Sequence, residues 1–188
     1  KMMKEKIKYH AIRLFDKKGF HGTSMRDIGN AAGCKMPTLY YYYESKDILF
    51  DEVVRVAYIG LVDNLHKNFS AKLKPVDFCI QSLLQKKSLT EDEKIIHRLA
   101  MKTWLGFEGC DDVRCKLLEW ESLRNSRNMA LLSQEVSSEI WVRIITRTYT
   151  DLLQRIVLFD ENIPNSEITE EMTLLFECAA KQKIKQEE

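Results

Sequence analysis

Residues 19–46 read GFHGTSMRDIGNAAGCKMPTLYYYYESK, and the fold turns on how this stretch is parsed. Ser24 and Asp27 fit the S-x-x-D form of a capping box, in which the serine hydroxyl accepts an orphan backbone N–H and the acid reaches back. Met25, Ile28, Ala31 and Ala32 then share one face at helical spacing. Gly33 stops this helix, because glycine takes the left-handed conformation after a helix without penalty. A second helix follows from Met36 to Tyr42, with Pro37 in its first turn, where a missing N–H costs nothing. Ser45 caps the helix after that. Two short helices across a glycine turn make a helix–turn–helix.

Leu39 and Tyr43 are the inward residues of the second helix. Thr38, Tyr40, Tyr41 and Tyr42 fall on or beside its outer face. Four consecutive tyrosines suit a core poorly, since each buried phenol needs a hydrogen-bond partner. On a phosphate surface they fit, with rings against sugars and hydroxyls donating to phosphate oxygens. Lys46, in the first turn of the next helix, adds an ammonium to a helix N-terminus that already favours anions. The residues expected to bear on DNA are Ser24, Arg26, Lys35, Met36, Pro37, Thr38, Tyr40, Tyr41, Tyr42 and Lys46.

The same residues carry a family likeness. Phe15, Gly19-Phe20, Thr23-Ser24, Arg26-Asp27-Ile28, Ala31-Ala32-Gly33, Thr38-Leu39-Tyr40-Tyr41, Tyr43, Ser45-Lys46 and Ile48-Leu49 stand in order over the first quarter of the chain. In these it resembles the TetR family of bacterial transcriptional repressors. Lys35 departs from the small capping residue usual in that family, Gly29 from an alanine and Tyr42 from a frequent histidine. The resemblance implies an all-α chain. A three-helix DNA-binding domain at residues 1–47 would precede a helical ligand-binding and dimerisation domain at residues 48–188.

Composition agrees with a helical globular chain. Of 188 residues, 45% are aliphatic or aromatic, and glycine and proline are few. No stretch of alternating β-branched residues is flanked by turn signals, so no sheet is expected. The net charge of +1 hides an asymmetry: +5 over residues 1–50 and −4 over 51–188, which puts the positive excess where a phosphate-binding surface needs it. No apolar run has the length of a membrane span, and the basic N-terminus lacks the apolar segment of a signal peptide. Five cysteines, an odd number, fit reduced thiols and a cytoplasmic setting.

Around the central stretch, Lys4–Lys18 is an amphipathic helix with Ile7, Ala11, Leu14 and Phe15 inward. A long helix is expected from Ser45 to Phe69, a candidate lever between domains in the role the family gives it. Pro75 opens another, and Thr90 with Glu93 caps the next, which runs to Leu105. Gly106 and Gly109 bracket a loop, and Asp111–Leu132 follows. Ser137 or Ser138 starts a helix to Phe159, and Thr169 caps the last. That makes about nine helices. Val136, Ile140, Ile144, Ile145, Leu152, Leu153, Ile156 and Val157 cover more than one face of the penultimate helix. A helix apolar on two sides needs two partners, here its own domain and a second copy. The resemblance implies a homodimer through the last two helices.

Met101, Trp104, Phe107, Trp120, Trp141 and Tyr149 gather bulk on the middle helices and are the candidate lining of an effector cavity, plain core being the alternative for each. The effector is then largely hydrophobic. If Glu108, Glu119 or Glu121 turns inward an aromatic cation is favoured, and otherwise a neutral or lipid-like molecule fits as well. Cys110 and Cys115 lack a second ligand pair, so no metal is expected. No cofactor motif and no catalytic motif is present, which argues against an enzyme. The expected function is a ligand-responsive homodimeric repressor on an inverted-repeat operator in double-stranded DNA. The alternative is a helical small-molecule sensor without a DNA function.

Overall fold

The computed structural model describes residues 2–67, 69–70 and 72–187, the last six of these by backbone alone. Among them every regular element is helical. The helices are α1 (Met2–Lys18), α2 (Met25–Ala32), α3 (Met36–Tyr42), α4, α5 (Pro75–Lys87), α6 (Glu91–Trp104), α7 (Asp111–Leu132), α8 (Glu139–Val157) and α9 (Asn165–Glu187). Helix α4 is continuous from Lys46–Phe50 through a π-helical segment, Asp51–Val56, to Ala57–His66.

Helix starts follow the capping residues. Ser24 Oγ accepts the Asp27 N–H at 3.1 Å, and Asp27 accepts the Ser24 N–H at 3.0 Å. Thr90 and Glu93 form the same reciprocal box, and Ser45 accepts the Ile48 N–H. At two ends the structure differs from the sequence reading. Helix α4 stops at His66, short of Phe69, and Asn68 and Ala71 lie outside the described residues. Helix α9 begins at Asn165, directly after Pro164, so Thr169 lies inside it and donates its hydroxyl to the Asn165 carbonyl. The fixed φ of a proline already points the chain into a helix, and no side-chain cap is required there.

The chain packs as two units. The first comprises Lys1–Asp63 and Thr90–Glu121, the second Asn64–Leu89 and Ser122–Glu188. In the first, α1 packs on α2, α6 and α4 around Ile7, Ala11, Phe15, Ile28, Leu39, Leu49, Val53 and Leu99. Three rings close its centre. Phe50 meets Phe15 edge-on at 5.0 Å and Phe20 at 4.9 Å. Gly109, in the α6–α7 loop with φ +86°, lies against Phe50 so closely that a Cβ would stand 2.7 Å from the ring. In the second unit, α5 and α9 pack on α8 around Leu83, Val142, Ile145, Leu152, Val157, Ile168 and Met172.

Two glycines therefore predict opposite outcomes. Gly109→Ala collides with Phe50 and strains a left-handed residue, and should destabilise by roughly 1–3 kcal/mol. Gly60, in the interior of α4 with nothing within 4 Å of a Cβ, should gain about 0.5–1 kcal/mol as Gly60→Ala. Urea unfolding of both variants checks this pair.

Candidate nucleic-acid interface and effector residues

Helices α2 and α3 meet at a turn whose geometry is set by three small features. Gly33 is left-handed at φ +63°, and the Cys34 N–H reaches back to the Gly29 carbonyl at 3.0 Å, closing α2. Gly29 is buried where the helices come together: a Cβ there would meet Met36 Sδ at 3.2 Å. Pro37 sits in the first turn of α3, and Lys35 at its N-cap makes no side-chain cap bond. The interior of α3 is Leu39, fully buried, with Tyr43 just beyond it. Burial and the nearby Glu52 carboxylate push the Tyr43 phenol well above its ordinary range.

The opposite face of α3 is open. Pro37, Thr38 and Tyr40 are exposed, and Tyr41 is 83% exposed. Tyr42 is half-buried and meets the Tyr41 ring edge-on at 5.2 Å. Met36 is half-buried against the α2 side. Arg26 and Lys35 are exposed and, among the described residues, have no acidic partner. Lys6 of α1 stands beside the turn, its Nζ 3.7 Å from where a Gly33 Cβ would be. Lys4 and Lys8 are instead taken by Glu52, at 3.0 and 2.6 Å. Although burial raises the Glu52 carboxyl, those two ammonium groups outweigh it and hold the acid below its ordinary range. Ser24 is committed to its capping box with Asp27.

Lys46 is placed differently from the sequence reading. Its ammonium donates to the carbonyls of Phe20, at 2.7 Å, and Thr23, at 2.9 Å, and lies 4.2 Å from the centre of the Phe20 ring. It ties α4 to the turn between α1 and α2. The same turn is held by Thr23, whose hydroxyl reaches the Gly19 carbonyl at 2.8 Å, and by Glu108, which accepts the Phe20 N–H at 2.9 Å. Of the three candidate acids, Glu108 therefore faces this turn, Glu119 is exposed and Glu121 is buried at 8% exposure.

The aromatic candidates divide between the two units. In the first, Tyr58 of α4 is buried among His97, Trp104 and Trp120, with ring centres 5.0, 5.8 and 5.6 Å away. Its hydroxyl donates to Glu121 Oε1 at 2.9 Å. Met101 is buried at 1% exposure. Phe107 is not interior: it is 77% exposed and rims an open depression of about 150 Å³ with His21, Glu108 and Arg114. A residue in a glycine-bracketed loop escapes the helical period that would have turned it inward. In the second unit, Trp141 packs on the core, and Tyr149 joins a polar group with Ser82 and Lys86. Tyr58 was not singled out from sequence. Its signal was its place three and four residues before Leu61 and Val62 on the buried stripe of α4.

On the penultimate helix the apolar residues also divide. Val142, Ile145, Leu152, Leu153, Ile156 and Val157 are buried within their own unit. Ile140 and Ile144 are exposed and line, with Arg143 and Arg147, an open depression of about 250 Å³. Leu174 of α9 is exposed as well. Among the described residues no group of three or more His, Cys, Asp or Glu side chains could hold a metal ion. No described helix is long and apolar enough to cross a membrane.

Comparison with known proteins meets the same region. The sequence model of the family described as bacterial regulatory proteins, tetR family, matches residues 10–53, from the middle of α1 to the start of the π-helical segment. A similar curated protein is the biofilm operon icaADBC HTH-type negative transcriptional regulator IcaR of Staphylococcus epidermidis. It is 36% identical over 66 residues, which cover 35% of this chain and 36% of that protein. The chain thus matches little more than a third of that relative's length. The fold likeness runs further. A tetR-family bacterial regulatory protein from Rhodococcus RHA1 superposes with a TM-score of 0.72 over 95% of this chain and 97% of its own, at 11% identity. The multidrug binding protein EbrR, solved in complex with malachite green, gives 0.65 over 92% and 96%, at 19% identity. The family's sequence pattern thus lies on the second half of α1 through the first part of α4, and the likeness of fold extends over nearly the whole length.

Proposed function

We propose that the chain is a homodimeric transcriptional repressor that a small molecule releases from its operator. The observation that carries the DNA reading is the outer face of α3. Thr38, Tyr40 and Tyr41 project there without covering neighbours, and Arg26 and Lys35 flank them as exposed cations that pair with no acid among the described residues. Aromatic hydroxyls and unneutralised cations on one short helix pair are what a phosphate-lined groove recognises. The likeness of 66 residues of the chain to a regulator named as negative supports repression over activation. Residues 1–47 act as the DNA-binding domain and 48–188 as the effector and dimerisation domain, in the cytoplasm where the operator is.

Assembly rests on Ile140 and Ile144 of α8 and Leu174 of α9, apolar side chains left exposed on the last two helices. A second copy covers them in a twofold interface, and two reading helices then meet half-sites one DNA turn apart or a multiple of it. The effector is largely hydrophobic and uses Met101, Trp104 and Trp120, the candidates gathered in the first unit. Its preference for the released state sets how far it can shift the equilibrium.

The reading is tested by titrating the full chain onto duplex DNA flanking its own gene. An inverted repeat there should bind two chains per site, and binding no tighter than to a scrambled duplex overturns it. Lys35→Ala should weaken binding to every sequence and lower the salt slope by about 1. Lys46→Ala should weaken binding as well, but with a lower unfolding temperature, because two backbone carbonyls lose their donor. Ile140→Asp with Ile144→Asp should give monomers by sedimentation at micromolar concentration. A wild-type chain that is already a folded monomer there removes the dimer. Trp104→Ala or Trp120→Ala should blunt release from DNA by an effector found in a screen of hydrophobic compounds. Wild-type release in both variants means these rings are only core.

A further inference from the structure

The second unit buries a lysine whose hydrogen-bond partners among the described residues are all neutral. Lys86, on α5, is 2% exposed. Its ammonium donates to Ser82 Oγ at 2.8 Å, to the Ser82 carbonyl at 3.2 Å and to the Tyr149 hydroxyl at 3.2 Å. All three partners are neutral. Among the described residues no carboxylate pairs with Lys86. The imidazole of His66 is a further neighbour, its Nε2 3.1 Å from Ser82 Oγ. Burial, and then the positive charges of Lys86 and Arg124, push that imidazole down to about 4, so it is neutral at pH 7. Cys79 nearby is no counter-charge either, since burial pushes its thiol up to about 12 even though Lys86 pulls it down.

A buried ammonium is held at a large cost unless an opposite charge meets it. Here the surroundings are arranged to accept one. The Ser82 and Tyr149 hydroxyls lie 2.8 Å apart, and either can be the donor. Both can turn their hydrogens outward and, once the ammonium releases one of its three present bonds, donate with it to the two oxygens of one carboxylate. The group also has an apolar rim. Rings of His66, Phe69 and Phe78, all half-buried, lie 5.1–5.3 Å from one another.

We propose that Lys86, Ser82 and Tyr149 form the acceptor site for the acid group of a small amphiphilic anion, a carboxylate on an apolar body that lies against His66, Phe69 and Phe78. Glu121 in the first unit is also buried and takes the Tyr58 hydroxyl, so it is the competing site, one that would favour a cation. The acceptor site stands on this geometry. That its occupation is felt at the DNA rests on the function proposed above.

The test is calorimetric titration of the full chain with three probes that share a body and differ in charge: 4-phenylbutanoate, 4-phenylbutan-1-ol and 4-phenylbutylammonium. The acid should bind about tenfold tighter than the alcohol or better, as charge-assisted hydrogen bonds require, with the ammonium weakest. Lys86→Met should erase the preference for the acid while raising the unfolding temperature, and Lys86→Arg should keep most of the preference. If Lys86→Met fails to fold, Tyr149→Phe decides. It should weaken the acid and leave the alcohol unchanged. Equal affinity for acid and alcohol, no binding of any probe, or an acid preference that survives both Lys86→Met and Tyr149→Phe overturns the site. Tightest binding of the ammonium overturns it in favour of Glu121. If the acid binds as expected and leaves the DNA complex intact, the site stands and the regulatory reading of it fails.

Discussion

The five residues from Gly19 to Thr23 join the first helix to the DNA-facing pair, and their backbone is fastened from three directions. Lys46 of α4 takes two of its carbonyls, the Thr23 hydroxyl takes a third, and Glu108 of the α6–α7 loop takes the Phe20 amide. Each bond involves a backbone group that a turn leaves without a helical partner, and at the two ionised side chains the bond is charge-assisted. Phe20 between these anchors completes the ring cluster with Phe15 and Phe50, and Gly109 admits the loop to the face of Phe50. The orientation of α2 and α3 therefore depends on residues nearly ninety positions away in the chain. Helix α3 has only seven residues and no side-chain cap. Too short to be stable alone, it takes its shape from that frame.

Much of the frame was legible in the sequence. The Ser24 and Thr90 capping boxes, the glycine after α2, the proline opening α3 and the bounds of α7 follow from local rules, and local rules act within a few residues. Leu39 inward and Tyr41 outward followed from the helical period. What periodicity does not supply is the partner of a polar side chain. Lys46 reads as a phosphate ligand because it stands at a helix N-terminus, and only the fold brings the Phe20 and Thr23 carbonyls to it. Glu108 reads as a possible cavity acid and proves to be an anchor. Phe107 reads as bulk for a cavity and lies on the surface, since its loop has no period to fix its direction.

Lys86 shows a signal that was present and easy to pass over. Cys79, Ser82, Leu83 and Lys86 fall at i, i+3, i+4 and i+7, the buried stripe of α5. A lysine on such a stripe either carries its charge out past its neighbours or buries it, and here it is buried. Among the described residues the two buried acid and lysine side chains, Glu121 and Lys86, are then unlike. Glu121 sits among rings with a phenol as donor, whereas Lys86 sits among hydroxyls with no acid. A low-dielectric interior magnifies that difference, and the charge left unanswered is the better guide to what the interior can bind.

The frame around Phe20 is also where the account is most exposed. Glu108 touches no surface proposed for DNA and carries the wrong sign for a phosphate, so it can influence DNA only by holding the turn. The decisive measurement is the DNA affinity of Glu108→Ala over a range of salt concentrations, with amide exchange at Phe20 followed in the same protein. A held turn predicts faster exchange at that amide and weaker binding with an unchanged salt slope. Faster exchange with full affinity would contradict it, because the reading helices would then keep their orientation without the anchor.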